Sequence, residues 1–368
     1  MKILQVLTEL GAGGAERVVL DLSEELVRRG HEVALTVLKS PPKNRMIADR
    51  FLALRIVPEY LHIDRAAECY RLYLLRRSLR RVAPDICHSH LMHPNLCTRL
   101  ADIGLGIPLL NTIHISERRP GKGLYFALDR LTFPLCSACS AVSFAAARFH
   151  ERRLGLKRGT VKVIYNGVDP IPPPSPEWIL SLKKKWGVEN CSRIIGSVGR
   201  LDPQKGFDLL LSMLPELSAR VPEGEQWGIV IVGEGPEKEH LKTLAAAAPK
   251  NLKVVLPGFL ENAQRAIYLF HVFVMPSRYE GYGLVLAEAM TTGIPVVVNP
   301  VDSLPELCRF YRNHAMADFE SPEHRAETAA ILASSVFRPW GEPQVISRKD
   351  EMAERYIHLY ESLLGGKR

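Results

Sequence analysis

Apolar and polar positions alternate along this 368-residue chain in a repeating way: short runs rich in Val, Ile and Leu, then amphipathic stretches, then another apolar run. The short runs predict buried strands, and the stretches with apolar residues three and four apart predict helices. In the first half, strands are expected over 2–7, 32–38, 85–88, 108–114, 140–143 and 161–165, with helical runs such as 15–29 and 124–133. In the second half, strands are expected over 193–198, 228–232, 252–256, 272–275 and 295–298. Helices there are expected over 208–217, 238–247, 263–270 and 284–291, with a last one near 351–364. Such alternation predicts an α/β protein whose parallel sheets are covered on both faces.

The segment DPIPPPSPEW (169–178) holds five prolines and cannot continue a helix or a central strand. It divides the chain into a first domain over 1–168, a linker over 169–178 and a second domain over 179–350, followed by 351–368. Two doubly wound domains imply a ligand cleft at the carboxyl ends of their strands. The chemically suggestive residues sit at such ends: GAGGAER (11–17) after the first strand, His114 after the fourth, Arg200 and Glu280 in the second half.

Composition narrows the class. A hydrophobic fraction of 46% with 24% charged residues describes a globular protein. The longest uncharged stretch near 131–147 is broken by Pro134, and the N-terminus alternates like a strand without a basic leader, so cytoplasmic residence is the expectation. The seven cysteines are scattered, which suits reduced, mostly buried thiols, and Cys136 and Cys139 lack a second pair for a zinc site.

Charge is uneven. Residues 1–169 carry 26 Lys+Arg against 16 Asp+Glu, a net of +10, while the remainder carries 22 against 24, a net of −2. The excess gathers in RLYLLRRSLRR (71–81) and ERRPGK (117–122). Two readings stand: a solvated helix face whose Leu72, Leu75 and Leu79 stripe is core, or a surface for anionic lipid or a phosphate-bearing acceptor. No nucleic-acid motif occurs, and the aromatics are not interleaved with the charges, so no nucleic-acid partner is expected.

Several motifs carry chemistry. GAGGAER has glycines after a strand, but Glu16 fills the third glycine position and Lys39 stands where an acidic ribose ligand belongs. That excludes a nicotinamide dehydrogenase and leaves a tight turn, or a loop whose Gly13 and Gly14 let backbone approach a ligand. Arg200 and Lys205 in GRLDPQKGFD flank Pro203 and offer a forked guanidinium and a point-charge ammonium for a leaving diphosphate. In EGYGLVLAE, Glu280 is expected in a loop and Glu288 two turns into a helix on nearly the same face, with backbone N–H groups of Gly281 to Leu284 at the helix start. Two carboxylates for hydroxyls, amides for an anion and two cations make a sugar-diphosphate pocket. His88, His90 and His93 lack carboxylates or thiolates at ligand spacing, so a strand-end loop of neutral histidines is expected and no metal site. His114 ends an apolar strand as a core residue or a hydroxyl ligand. No P-loop, GxSxG or HExxH occurs.

The ordered set GGAER, RGHEV (29–33), NGVD (166–169), GRLDPQKGFD, VGEGP (232–236) and EGYGLVLAEAMTTGIPVV (280–297) resembles the retaining GT-B glycosyltransferases of family 4 over nearly the whole chain. The resemblance implies two Rossmann-like domains facing across a cleft, with the nucleotide-sugar donor held mainly by the second and the acceptor by the first. It implies that the 351–368 helix crosses back to the first domain. Arg200 and Lys205 would contact the donor diphosphate, with Gly199, Gly13 and Gly14 close to its phosphates. Glu280 with Gly281, Tyr282, Gly283 and Leu284 would hold the transferred sugar and phosphate, Glu288 the ribose, and His114 the sugar near the reacting centre. No metal or other cofactor is implied, and a front-face mechanism retains anomeric configuration. The expected partners are a UDP- or GDP-sugar and a saccharide or lipid-linked acceptor of cell-envelope polysaccharide or glycolipid, at the inner face of a membrane. A nucleotide-sugar 2-epimerase and a degenerate sugar-nucleotide-binding subunit are the alternatives. One region departs: 296–307 lacks the paired glycines that commonly precede Pro305 and Glu306, and 308–320 lacks the usual Gly-containing hairpin signal.

Overall fold

The computed structural model describes residues 1–11, 13–116, 118, 121 and 123–365, with positions 66, 67 and 69 described by backbone alone. Ala12 and most of ERRPGK therefore lie outside the described residues. The chain forms two compact units: Met1–Gly167 with Ser347–Arg368, and Val168–Ile346.

The first unit is built on strands β1 (Lys2–Leu7), β2 (Glu32–Val37), β3 (Glu59–Tyr60), β4 (Ile86–His90), β5 (Leu109–Ile113), β6 (Ala138–Ala141) and β7 (Lys162–Val163). They pair in parallel in the order β3-β2-β1-β4-β5-β6-β7. Helices α1 (Gly14–Arg28), α2 (Met46–Ala53), α3 (Leu72–Val82), α4 (Met92–Asp102), α5 (Gly123–Thr132) and α6 (Phe144–Leu154) fill the crossovers. Parallel pairing demands these crossovers, and helices on the faces bury the central strands on both sides. β3, with two residues, is too short to leave a period in the sequence. In α3, Leu75 and Leu79 are buried, Leu72 packs against the same core, and Arg76 donates to the carbonyls of Ala101 and Ile103. The leucine stripe within 71–81 is core, while Arg77, Arg80 and Arg81 of the same helix are exposed.

β4 runs two residues further than its apolar pattern suggests. His88 and His90 lie inside the sheet, not in a strand-end loop, and both are buried. They can remain there because each ring nitrogen has a partner, as described below.

The second unit begins with α7 (Pro176–Trp186). Pro176 takes the first helical position, where a missing N–H costs nothing, and Ser175 caps the helix by accepting from Trp178 N–H at 3.3 Å. The linker expected over 169–178 is thus shorter, since its last three residues start a helix. Strands β8 (Arg193–Val198), β9 (Trp227–Val232), β10 (Leu252–Gly258), β11 (Val272–Met275), β12 (Val296–Val298) and β13 (His314–Met316) form a parallel sheet in the order β10-β9-β8-β11-β12-β13. The helix expected over 208–217 is two pieces, α8 (Phe207–Leu211) and α9 (Leu214–Ser218). Pro215, at the start of the second, has no N–H for Leu211 and crowds the preceding turn. The 263–270 run is a tighter 3-10 helix, Ala263–Leu269. α10 (Lys238–Ala246), α11 (Leu284–Met290), α12 (Leu304–Cys308) and α13 (Arg325–Ser335) complete the unit.

The last helix, α14 (Lys349–Gly365), belongs to the first unit. It packs on α1, with Lys349 Nζ 3.0 Å from Asp21 and Arg29 donating to the Asp350 carbonyl at 2.9 Å. Gly167 lies so close that a Cβ there would meet Lys349 Cα at 2.5 Å. Tyr356 and Tyr360, one turn apart on α14, are fully buried.

Candidate active site

The predicted site residues fall into two sets, one in each unit, and both sets lie at carboxyl ends of parallel strands, where open α/β sheets bind ligands.

In the second unit the set is assembled by three loops. Gly199, Arg200 and Leu201 leave β8 and lie backbone to backbone against the loop after β9. Gly199 N–H donates to Val232 O at 2.9 Å and Leu201 N–H to Glu234 O at 3.0 Å. A Cβ on Gly233 would fall 1.9 Å from the Gly199 carbonyl oxygen, which is why VGEGP has glycine there. Arg200 projects outward with 71% of its side chain exposed, and its nearest acid is Asp202 at 3.9 Å. Asp202 caps the 3-10 turn Pro203–Lys205 through Gln204 N–H.

That turn aims Lys205 at the loop following β11. Lys205 Nζ stands 2.5 Å from Glu280 Oε1, and Ser277 Oγ donates to the same oxygen at 3.0 Å. The pair is mostly covered, with Glu280 buried and 22% of the Lys205 side chain exposed. The loop is clamped on both sides. Gln204 donates to Tyr279 O at 3.0 Å, and Arg278 forks onto Asp208 at 2.8 and 2.6 Å. From the other side, Asp302 accepts from Glu280 N–H at 3.0 Å, Asn299 donates to Ser277 O at 3.0 Å, and Ser303 donates to Tyr282 O at 2.9 Å. Asp302 adopts a left-handed backbone, φ 45°, which short polar side chains tolerate. The region without paired glycines therefore holds the loop through Asn299, Asp302 and Ser303. None of these three had a sequence signal, and Ser277 had none either.

Glu288 is buried on α11, only one turn from that helix's start at Leu284. Gly283 precedes it in the left-handed region, φ 88° and ψ 52°, and a Cβ there would meet Leu304 at 2.8 Å. The helical spacing expected between Glu280 and Glu288 does not exist, because Gly281, Tyr282 and Gly283 form a turn between them. Both glutamates belong to the same loop-and-helix unit through that turn.

In the first unit, Gly13 caps α1 and Gly14 is its first residue. The group nearest the missing Gly13 side chain is the Glu16 carboxylate, which a Cβ would meet at 2.3 Å. Glu16 stands three residues past the cap, where a glutamate folds back over the helix start. His114 follows β5 directly, half-buried.

Beneath His114 runs a chain of buried polar groups across three strands. His114 Nε2 lies 3.0 Å from His90 Nδ1, and His90 Nε2 lies 2.7 Å from Gln5 Oε1 on β1. His88 Nδ1 meets Tyr360 OH and its Nε2 meets Thr112 Oγ1, both at 2.7 Å. Burial pushes the pKa of His114 down to about 4 and holds His88 and His90 well below the usual imidazole range, so all three are neutral near pH 7. With the Gln5 oxygen as acceptor, His90 carries its proton on Nε2 and accepts on Nδ1 from His114 Nε2–H. His114 Nδ1 then keeps a lone pair for a hydroxyl. Among the described residues no group of three or more His, Cys, Asp or Glu is arranged to hold a metal ion. His93, the third histidine of the motif, instead meets Tyr125 OH at 2.9 Å. The six described cysteines are unbridged thiols.

Two doubly wound units with polar groups at their strand ends define the GT-B class of fold. Residues 12–171 match the model of Glycosyltransferase Family 4, and residues 180–335 match that of Glycosyl transferases group 1. The chain belongs to this glycosyltransferase family. It is 30% identical over 273 residues to an uncharacterized glycosyltransferase of Methanocaldococcus jannaschii, a stretch covering 68% of this chain and just under two thirds (66%) of that protein. It is 26% identical over 295 residues to the GalNAc-alpha-(1->4)-GalNAc-alpha-(1->3)-diNAcBac-PP-undecaprenol alpha-1,4-N-acetyl-D-galactosaminyltransferase of Campylobacter jejuni, covering 79% of this chain and 77% of that one. The crystal structure of Anabaena HepE in complex with UDP-glucose shares the fold, with a TM-score of 0.76 and 20% identity over 100% of this chain and 99% of that one.

Proposed function

We propose that this chain transfers a sugar from a UDP- or GDP-sugar to a saccharide or lipid-linked acceptor of cell-envelope polysaccharide or glycolipid, retaining anomeric configuration and using no metal. The observation that carries this reading is the covered Lys205–Glu280 pair at the ends of β8 and β11. Glu280 is oriented by an ammonium, a hydroxyl and the Asp302 contact to its own N–H. A fixed carboxylate can accept from sugar hydroxyls. Lys205 uses one of its three N–H donors on Glu280 and has others for phosphate oxygens, and the exposed Arg200 can fork onto the same diphosphate.

The roles then follow. Arg200, Lys205 and the Gly199 loop stabilise the leaving diphosphate; Glu280 with the Gly281–Leu284 turn holds the transferred sugar; Glu288 holds the ribose. His114 accepts from a sugar hydroxyl near the reacting carbon, and the start of α1 at Gly13 and Gly14 approaches the donor phosphates. The bond from C1 to the phosphate oxygen breaks, the acceptor oxygen bonds C1 on the same face, and the acceptor's proton passes to the departing phosphate oxygen. No protein nucleophile is required. The relatives support the substrate classes: one is crystallised with UDP-glucose, and another is named for an undecaprenol-linked saccharide acceptor. We place the reaction at the cytoplasmic face of a membrane. Among the described residues no helix is long and apolar enough to cross one.

Incubation with a panel of UDP- and GDP-sugars and with saccharide and polyprenol-linked acceptors, with and without EDTA, tests the reading. Acceptor-dependent nucleotide release, unchanged by EDTA and giving a product of the donor's anomeric configuration by NMR, is the expected result. Acceptor-independent release with an epimerised sugar would instead make the chain a 2-epimerase. Donor binding without turnover, rescued by a second protein, would make it a supporting subunit.

A further inference from the structure

α5 buries one face and leaves the opposite one apolar. Phe126, Asp129 and Thr132 point inward. On the outer face Leu124, Leu128 and Leu131, spaced four and three apart, are exposed, Leu124 and Leu131 by 72% and 76%. Leu135 in the following turn continues the row, and Leu100 and Ile103 of the adjoining α4 are exposed as well. An outward leucine row on a ten-residue helix is the reverse of the usual surface pattern.

The charge around the row is one-sided. From 118 to 158 the sequence has nine Lys+Arg and only two acids, Asp129 and Glu151. Both acids are buried and engaged: Asp129 with Arg99, and Glu151 as acceptor for the N–H groups of Gly159 and Val161. Arg130 on α5 and Arg148, Arg152, Lys157 and Arg158 on or just after α6 are exposed, and Phe144 at the start of α6 is 51% exposed. Over this whole stretch the described surface offers apolar side chains and positive charge with no exposed acid to offset it.

We infer that the α5–α6 face docks on an anionic lipid bilayer, the leucine row entering the headgroup boundary and the surrounding arginines and lysines meeting phosphates. Apolar area combined with a one-sided positive rim is the chemistry of an interfacial membrane surface, and each basic residue near an anionic membrane strengthens binding roughly fivefold. A second copy of the chain would bring the same positive rim against itself, which disfavours a dimer through this face. His114 lies between β5 and α5 in the chain, so docking here would bring that histidine close to a lipid-linked acceptor. That consequence rests on the proposed function, whereas the binding itself does not.

The test uses the full chain without donor or acceptor, sedimented with vesicles of phosphatidylcholine alone or with 30 mol% phosphatidylglycerol. Binding only to the anionic vesicles is expected, weakened at least tenfold by the double substitution Leu124→Ser with Leu131→Ser, and also weakened by Arg148→Gln with Arg152→Gln. Circular dichroism and thermal melts confirm that these variants fold. No binding to anionic vesicles, or binding untouched by both variants, would overturn the inference. So would a solution dimer that Leu131→Ser dissociates, since that assigns the row to a second copy.

Discussion

The polar groups at the sheet ends of the two units solve the same problem in opposite ways. In the first unit they are neutral: His88 and His90 are buried and His114 half-buried, all three are depressed in pKa, and they are joined through Gln5, Thr112 and Tyr360. In the second they are charged and paired, Lys205 with Glu280 and Arg278 with Asp208. A neutral network positions hydroxyls without attracting counter-ions, and paired charges can be shared with an incoming diphosphate. Under the function proposed above, the uncharged part of the reaction falls to one unit and the anionic part to the other.

The largest effect expected from breaking this contrast is at the charged pair. Glu280→Ala should lower kcat by about a thousandfold, in the range of a lost oriented hydrogen-bonding group at a reacting centre, while far-UV circular dichroism stays unchanged. Turnover within tenfold of wild type would remove Glu280 from the site.

A smaller effect is expected from acid. An imidazole held at about 4 when folded and near 6.5 when unfolded contributes stability that is fully present above pH 6.5. Between those values the unfolded chain binds more protons, so stability falls as pH drops through this window. His88, His90, His114 and His150 of the first unit are all depressed by burial, and in the second unit His271 is as well. Denaturant melts at pH 7 and pH 4.5 should show the first unit losing about 2 kcal/mol or more and the second less. Equal losses would show that the histidine chain is not what sets the first unit's acid sensitivity.

The smallest effect is at the edge of the neutral network. Tyr360→Phe leaves His88 Nδ1 without its 2.7 Å partner and should cost about 1–2 kcal/mol by denaturant melt. Its donor KM should remain within about twofold, because Tyr360 acts on His88 and not on the substrate.

Much of this was legible along the chain. The βαβ alternation, the two-unit division and the order of the motifs follow from local periodicity and from residues with special backbone needs, such as the proline run at 169–178 and the glycines of VGEGP. The candidate site was legible as residue types and only in part as geometry. Lys205 and Glu280, 75 positions apart, were both singled out, yet nothing local showed that they touch. The spacing of Glu280 and Glu288 suggested one helical face, and Gly283 in a left-handed conformation broke that inference. Asn299, Asp302 and Ser303 hold the Glu280 loop by hydrogen bonds that no spacing rule anticipates. Tyr356 and Tyr360 had a signal, their one-turn spacing on a predicted helix, but not a partner.

The basic segments show the same division. Composition located the positive excess in the first half, in 71–81 and 117–122; folding buries the leucine stripe of 71–81, leaves Arg77, Arg80 and Arg81 exposed, and exposes the leucine row of α5 beside further exposed arginines. The class of fold, the ordered motifs and the chemical types available at the strand ends could be read along the chain, because these depend on neighbours within a few residues. Which of those groups meet, which histidines are stripped of water and which apolar face stays uncovered emerged with three-dimensional packing. Each of these depends on chain segments brought together from tens to hundreds of residues apart, as His88 and Tyr360 are across 272 positions.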